Sequence, residues 1–328
     1  MATYYGTKGQ KIQVLATDPS VAQEGQVWYN STSGALKVFK NFTDAWVTGG
    51  NIPSPQAGRA WAGAGTQTAS LVFGGISPGS ITIEYDGSAW TAGGNLGTAR
   101  YFVGGAGTQT AGLAFGGANF PTTLTITEEY DGSTWTAGGN LGTGRNNLAG
   151  AGTQTAGLGF GGYKSPPSPT ITNATEEYDG TSWTAGGNLG TGRGSLSGAG
   201  IQTAGLAFGG VKNPPAPTQS NATEEYDGSA WTAGGNLGTA RRELAAAGTQ
   251  TAALGFGGQP PIAGATEKYD GTSWTATSNM GTARYQLAGC GTQTAALGAG
   301  GYPPGPATTA TEEFNGGTVT LAVPVSQS

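Results

Sequence analysis

Few residues in this sequence carry the side chains that catalysis usually needs. Histidine is absent and Cys290 is the single cysteine, so the commonest catalytic base and transition-metal ligand are missing, and an internal disulfide is excluded. The nearest approach to a catalytic set is Arg242 and Glu243 with Tyr285. Glycoside hydrolysis uses a pair of carboxyl groups or, in some enzymes, a tyrosine nucleophile, and these residues supply only part of such a site. The sequence therefore predicts a protein that is not an enzyme and binds no metal or cofactor.

The elements that carry these residues follow from a repeat. Tryptophan recurs every 43–48 residues and arginine every 41–48 residues. The tryptophans are Trp46, Trp90, Trp135, Trp183, Trp231 and Trp274, and the arginines are Arg59, Arg100, Arg145, Arg193, Arg241 and Arg284. Each unit holds four strand-sized segments, separated by Gly-Thr-Gln-Thr and Asp-Gly turns that 63 glycines help to form. Units of this length with four antiparallel strands are typical of the blades of a β-propeller.

We therefore expect an all-β protein, a β-propeller of four-stranded antiparallel blades in a single domain of residues 1–328. Residues 59–328 contain six repeats, although the last has Val319 where the others have tryptophan. Residues 1–58 resemble a divergent blade with Trp46 on its outer strand. Its four short strands are predicted at Lys11–Ala16, Gln26–Asn30, Ala35–Phe39 and Ala45–Thr48. Seven blades are favoured, and the alternative is six blades with residues 1–58 as an anchor or closing strand.

Several features of the repeat match a known family. They are a Gly-Gly after an apolar strand, the tyrosine of Glu-Glu-Tyr-Asp-Gly, a tryptophan five residues later, and an arginine about ten residues beyond it. Over about residues 45–320 the chain resembles the kelch repeat, which implies the propeller fold. Some kelch-like propellers are copper oxidases, but those sites need histidine. The segment Asp131–Trp135 is similar to the Asp box of sialidases, except that its aspartate and glycine are adjacent.

Residues present in every repeat are interpreted as architectural, because a single site rarely needs six copies. We expect the repeated arginines and glutamates to pair between neighbouring blades. Function is expected where the repeats differ, in the Pro-rich loops between the second and third strands and in the two residues after each arginine. Strand alternation places both segments on one face.

The variable face is the predicted binding face, with a mouth lined by aromatic, amide and charged side chains. Its candidate binding residues are Trp61, Tyr101, Phe102, Asn147, Tyr163, Arg242, Glu243, Tyr285 and Tyr302. Aromatic rings next to amides and a carboxylate suit a carbohydrate or a protein loop.

Charge and hydropathy limit the other partners. The net charge is −5 and no cluster of lysine and arginine is present, so nucleic acid is not an expected partner. The apolar runs are too short to cross a bilayer, so no membrane insertion is expected, and we expect no secretory signal at the N-terminus.

A second resemblance suggests a setting. The run from Gly25 to Val38 resembles a segment of structural proteins of tailed bacteriophages, especially marine ones. That resemblance implies a virion protein on the particle surface, on the tail or the capsid, with other virion proteins as partners. An adhesion module that recognises a host-surface glycan or protein is favoured. A protein that decorates the capsid or tail is the alternative, and a kelch-type interaction adaptor is the third hypothesis.

Overall fold

The computed structural model consists of strands and the turns between them. It describes residues 12–17, 19, 26–41, 44–53, 61–75, 79–164, 170–212, 218–316 and 318–323. Every regular element in these ranges is a β-strand, and none of the described residues form a helix that is long and apolar enough to cross a membrane. The chain divides into two compact units, Met1–Ala45 with Asn315–Ser328 and Trp46–Phe314.

The larger unit is a propeller of four-stranded sheets, each ordered from an inner to an outer strand. Blade 1 contains Trp61–Thr66, Ala69–Gly74, Thr82–Tyr85 and Trp90–Ala92; blade 2 contains Gly104–Gly107, Gly112–Phe115, Thr127–Tyr130 and Trp135–Ala137; blade 3 contains Ala149–Gly152, Gly157–Phe160, Thr175–Tyr178 and Trp183–Ala185. Blade 4 contains Ser197–Ile201, Ala204–Phe208, Thr223–Tyr226 and Trp231–Ala233; blade 5 contains Ala245–Thr249, Ala252–Phe256, Thr266–Tyr269 and Trp274–Thr277; blade 6 contains Ala288–Gly291, Ala295–Ala299, Thr311–Asn315 and Ala45–Thr48.

Short two-stranded ribbons extend the loops between the second and third strands of blades 2, 3 and 4. They are Ala118–Asn119 with Thr122–Thr123, Tyr163–Lys164 with Thr170–Ile171, and Val211–Lys212 with Thr218–Gln219. These ribbons lie in the segments whose sequences vary from repeat to repeat.

Blade 6 takes its outer strand from the N-terminal part of the chain. Ala45–Thr48 completes the sheet begun by the last three propeller strands, and the Trp46 ring packs against Phe256 and Phe314 at centroid distances of 4.9 and 5.3 Å. The structure therefore corrects the favoured seven-blade prediction. The strand assigned as the fourth of an N-terminal blade closes the sixth, and Trp46 fills the position where the sixth repeat has only Val319.

The smaller unit contains one four-stranded sheet. Gln13–Leu15 pairs in parallel with Val27–Asn30, which pairs antiparallel with Ala35–Asn41, which in turn pairs antiparallel with Thr318–Val323. Val319 lies opposite Lys40 in this sheet and outside the sixth blade. The assignment of residues 59–328 to six repeats is corrected accordingly, because the propeller strands end at Asn315.

One hydrogen bond from an indole to a threonine hydroxyl joins each blade to the preceding one. The pairs are Trp135–Thr82, Trp183–Thr127, Trp231–Thr175, Trp274–Thr223, Trp46–Thr266 and Trp90–Thr311, at 2.8–3.0 Å. The last of these joins blade 1 to blade 6. The series therefore closes a ring of six blades and explains why tryptophan recurs in the sequence.

The glutamine of the Gly-Thr-Gln-Thr turn makes a second series of bonds around the ring. Each side-chain amide donates to two backbone carbonyl groups of the preceding blade, at 2.5–3.2 Å. The glutamines are Gln67, Gln109, Gln154, Gln202, Gln250 and Gln293. Because buried carbonyl groups are costly to leave without a donor, this turn is needed in every repeat.

The repeated arginines are buried and pair within the repeat that they begin. Arg145 Nη2 lies 2.8 Å from Glu176 Oε1, and its Nη1 donates to the carbonyl oxygens of Gly161 and Ala174. The equivalent pairs are Arg100–Glu128, Arg193–Glu224, Arg241–Glu267 and Arg284–Glu312, at 2.7–3.1 Å. The predicted pairing of these arginines between blades is therefore wrong. Arg59 lies outside the described residues.

The glutamate directly before the third-strand tyrosine or phenylalanine does reach the neighbouring blade in five cases, where it accepts a hydrogen bond from a buried tyrosine. The pairs are Tyr85–Glu313, Tyr130–Glu84, Tyr178–Glu129, Tyr226–Glu177 and Tyr269–Glu225. The contact between blades 5 and 6 differs at both positions: Phe314 replaces the tyrosine and Lys268 replaces the glutamate, with Lys268 Nζ 5.3 Å from the centre of the Phe314 ring. A cation–π contact thus replaces the hydrogen bond.

This replacement can be tested with a double-mutant cycle. Lys268→Glu alone loses the cation over the Phe314 ring, and Phe314→Tyr alone buries a hydroxyl without its usual carboxylate, so each is expected to cost about 1 kcal/mol of unfolding free energy. The double variant recreates the tyrosine–glutamate bond and should recover most of that loss. Urea unfolding measures the coupling, and strictly additive effects would contradict the assigned pairing.

The tyrosine–glutamate bonds predict a loss of stability at alkaline pH. Burial, with the hydrogen bond to glutamate, raises the pKa of Tyr85, Tyr130, Tyr178, Tyr226 and Tyr269 to about 12. A tyrosine in the unfolded chain titrates near pH 10, so the stabilisation is complete below about pH 10 and is lost as the pH rises towards about 12. Thermal melting should fall steeply across this window. The decline should be shallower in Tyr178→Phe, which has no phenol to ionise, and an equal decline would contradict the prediction.

Candidate binding site

The two variable segments of each repeat lie side by side at one face of the propeller. The residue after the repeated arginine forms a β-bridge with the residue after the Gly-Gly in the same blade. These bridges are Tyr101–Ala118, Asn146–Tyr163, Gly194–Val211, Arg242–Gln259 and Tyr285–Tyr302. The Gly-Thr-Gln-Thr turns lie at the opposite ends of the inner strands, so the two faces differ in composition.

The next residue along the chain forms a ring at the centre of the variable face. In blades 2–6 this residue has a φ of 49–58°, in the left-handed region. The five residues, which we call the mouth ring, are Phe102, Asn147, Ser195, Glu243 and Gln286. From Asn147 onwards each backbone N–H donates to the carbonyl oxygen of the preceding member, at 2.9–3.0 Å. The backbone thereby fixes the direction of five side chains that differ from one another.

The mouth-ring residues have a positive φ although they are not glycines. Every other residue with a positive φ in the described ranges is a glycine. An L-residue in the left-handed conformation costs roughly 1–2 kcal/mol, and glycine would avoid that cost. Strained residues of this kind cluster at ligand-binding sites, where the side chain is needed. The ring therefore stands out as a candidate site on conformational grounds alone.

The mouth ring surrounds a small cavity of about 100 Å³. Its floor is apolar and consists of the residues that follow the ring in sequence, Val103, Leu148, Leu196, Leu244 and Leu287. Further cavities of about 140 and 100 Å³ continue between the Ala- and Gly-rich inner strands. Sites that enclose a whole ligand measure roughly 300–1,000 Å³, so the space at the mouth by itself suits one small group of a ligand, with the rest on the rim.

Among the described residues that line this cavity, Glu243 alone is ionisable. Gln286 Nε2 donates to Glu243 Oε1 at 3.0 Å, and the side-chain amide of Gln259 donates to the other carboxylate oxygen. Arg242 Nε lies 3.9 Å from Glu243 Oε2. The carboxylate is therefore held in place and its charge is largely compensated by groups of the protein.

Aromatic rings lead from the cavity edge to the outer rim, and we call Phe102, Tyr101 and Phe120 the aromatic arm. The Tyr101 ring meets Phe102 edge-on at 5.4 Å and lies 4.9 Å from Phe120, tilted by 34°. The backbone N–H of Phe120 donates to the Tyr101 hydroxyl at 2.8 Å. The Phe120 side chain is 62% exposed, which is unusual for a phenylalanine. One apolar face of its ring is therefore open to a partner.

The remaining predicted residues lie around the mouth without lining the cavity. Tyr285 stacks on Tyr302 at 5.5 Å, and Tyr302 is buried. Tyr163 lies over Gly194 and beside Ser195; burial raises its pKa, and a hydrogen bond with Ser195 lowers it. Trp61 pairs with Gly74 at the start of blade 1, but its side chain lies outside the described residues. The structure thus places Phe102, Asn147 and Glu243 at the cavity.

The sequence-based selection missed three residues, Ser195, Gln286 and Phe120. Ser195 and Gln286 occupy the same repeat position as Phe102 and Asn147, so alignment of the repeats carried the signal. Phe120 was an aromatic residue within a loop already identified as variable.

The opposite face carries an Asx turn that recurs from blade to blade, beside the Gly-Thr-Gln-Thr turns. Asp131 Oδ1 accepts hydrogen bonds from the backbone N–H groups of Ser133 and Thr134 and from the Ser133 hydroxyl. These bonds lower the pKa of Asp131 to about 2. The same turn recurs at Asp86, Asp179, Asp227 and Asp270. The similarity of this segment to an Asp box therefore reflects an Asx turn between the third and outer strands.

Comparison with known proteins supports the fold and leaves the site open. No protein-family model and no curated protein matches this chain. Among solved structures, that of YjhT superposes with a TM-score of 0.69 at 13% sequence identity, covering 83% of this chain and 99% of that one. A likeness at this level of identity bears on the fold alone, and it agrees with a β-propeller.

Proposed function

We propose that this chain is a non-enzymatic structural protein of a tailed bacteriophage particle that attaches to the host surface through its variable face. The observation that carries the proposal is the mouth ring, in which five different side chains occupy equivalent left-handed positions. A structural requirement repeated in every blade would select the same residue each time. Different residues at equivalent, strained positions are instead what recognition of an asymmetric ligand requires.

The architectural residues support this division of labour. The repeated tryptophans and glutamines are used by bonds between blades, and the repeated arginines by bonds within each blade. None of these bonds depends on which residues occupy the mouth ring or the aromatic arm. The variable residues are therefore free to change with the ligand while the ring of blades stays intact.

The phage setting rests on the segment from Gly25 to Val38. In the structure this segment contributes the hairpin of Val27–Asn30 and Ala35–Asn41 to the smaller unit. Asn30 Oδ1 accepts hydrogen bonds from the backbone of Thr32 and Ser33, which gives the Asn-Ser-Thr-Ser-Gly sequence a role in the turn. The resemblance to phage structural proteins therefore concerns a defined structural element.

Immunogold electron microscopy of virions, combined with binding of the purified chain to host cells, tests this function. Label at the tail tip or fibres and saturable binding to host cells are expected. Absence of label from intact particles would overturn the virion assignment, and absence of cell binding would overturn host attachment.

A second function is favoured by the opposite face. There the same Asx turn recurs in five described blades, and a surface of uniform turns suits docking onto a regular lattice. For a capsid-decorating protein, label should lie on the head and the purified chain should assemble onto empty heads. Binding to cells would then be absent.

A further inference from the structure

We propose that the mouth binds a terminal N-acetylhexosamine of a neutral glycan, with the sugar ring on the aromatic arm and the acetamido group at the mouth cavity. This inference rests on the proposed attachment function and names the ligand class of the same site. Three features carry it: the size and lining of the cavity, its charge, and its continuity with an exposed aromatic surface.

The cavity suits a group that is polar at one end and apolar at the other. Its rim carries the amide, hydroxyl and carboxylate groups of Asn147, Ser195, Gln286 and Glu243, whereas its floor is formed by leucine and valine side chains. An acetamido group presents an N–H and a carbonyl oxygen, which need polar partners, and a methyl group, which gains from apolar contact. With a volume of about 100 Å³, the cavity holds a group of this size, with the sugar ring left on the rim.

The charge of the mouth selects against ionic ligands. Glu243 is the one ionisable residue among those described around the cavity, so a ligand carboxylate or phosphate finds no cationic side chain in the lining to pair with. A ligand cation has little to gain there, because Gln286, Gln259 and Arg242 already surround the Glu243 carboxylate. A neutral ligand with several hydroxyl or amide groups fits this environment best.

The aromatic arm provides the contact for the sugar ring. Phe102 lines the cavity, and Tyr101 connects it to the exposed Phe120. The C–H face of a pyranose is apolar and flat and can cover an aromatic ring, while the hydroxyl groups at its edge stay hydrated. A sugar on this surface can direct a substituent into the cavity without entering it.

Calorimetric titration with three methyl β-glycosides tests the ligand class. The N-acetylglucosamine glycoside is expected to bind, the glucose glycoside to bind at least tenfold more weakly, and the glucuronic acid glycoside not to bind measurably. Equal binding of the first two would overturn the acetamido assignment. Binding of the glucuronide would overturn the charge argument.

Two variants separate the site from the rest of the surface. Phe120→Ala should weaken binding of the N-acetylglucosamine glycoside at least tenfold with unchanged melting, because Phe120 is exposed. Ile201→Ala is the matched control, since Ile201 is also an exposed apolar residue but lies at the Gly-Ile-Gln-Thr turn of the opposite face. Equal affinity of the two variants would overturn the placement of the sugar.

Host-cell binding by the same variants distinguishes failure of this inference from failure of the proposed function. If Phe120→Ala abolishes cell binding while no glycoside binds, the attachment function stands and the ligand is of another class, such as a protein loop. If cell binding is present and independent of Phe120 and the mouth ring, both proposals fail.

Discussion

Replacement of Trp46 by alanine is expected to destabilise the propeller by about 3 kcal/mol, within the range measured for buried aromatic truncations. The Trp46 ring packs against Phe256 and Phe314, and its indole donates to the Thr266 hydroxyl of blade 5. Because Trp46 lies on the strand that completes blade 6, the loss also weakens the closure of the ring. Urea unfolding followed by circular dichroism measures the effect.

Two substitutions serve as controls for this prediction. Val47→Ala changes an exposed residue on the same strand and should alter stability by less than about 0.5 kcal/mol. Val319→Ala changes the residue that the repeat pattern places at the sixth outer position but that pairs elsewhere. If Val319→Ala destabilised the propeller and Trp46→Ala did not, the sixth blade would not be closed by the N-terminal strand.

Glycine substitutions in the mouth ring are expected to weaken host binding at least tenfold without loss of stability. Ser195 and Asn147 have φ values of 52° and 49°, a conformation that glycine adopts without strain. Ser195→Gly and Asn147→Gly should therefore leave the unfolding free energy unchanged or raise it by up to about 1 kcal/mol. Cell-binding assays and urea unfolding of the same samples measure the two effects.

A serine two residues further along gives the matched control. Ser197 is buried, and its hydroxyl donates to the carbonyl oxygen of Leu244. Ser197→Gly should lose about 1 kcal/mol of stability and retain binding, which is the reverse of the result expected for Ser195→Gly. If Ser195→Gly destabilised the protein and left binding intact, the mouth ring would be architectural.

The blades could be predicted from the sequence because each one is a local unit. The four strands of a repeat are joined by short turns whose residues mark their positions, as at Asp131 and Gln154. The number of blades depended instead on a long-range pairing, that of Ala45–Thr48 with Thr311–Asn315. Local patterns do not specify which sheet a strand joins. The sequence signal for six blades was the set of six repeated tryptophans and six repeated arginines, together with Val319 where the sixth repeat lacks a tryptophan.

The position of the site was predictable, but its geometry was not. Variation among the repeats identified the residues after each arginine, including Phe102, Asn147 and Glu243. It did not show that the first residue of each pair turns outward to bridge a loop, as Tyr101 does, and that the second faces the cavity. The different directions of the two side chains depend on a left-handed φ at residues other than glycine. The residue types alone do not predict that backbone conformation.

Because the repeats make the same bonds to their neighbours, one repeat can take the place of another. Each of the first five repeats carries a tryptophan and a glutamine for the blade before it, and the threonine and carbonyl groups that receive the same bonds from the blade after it. Recombination between repeats can therefore exchange one mouth-ring residue for another and leave the tryptophan and glutamine bonds between blades unchanged. The lysine–phenylalanine contact and the Gln286–Glu243 bond between blades 5 and 6 are exceptions, because the two halves of each have to be inherited together. A propeller built this way can acquire new specificity by shuffling sequence that it already encodes.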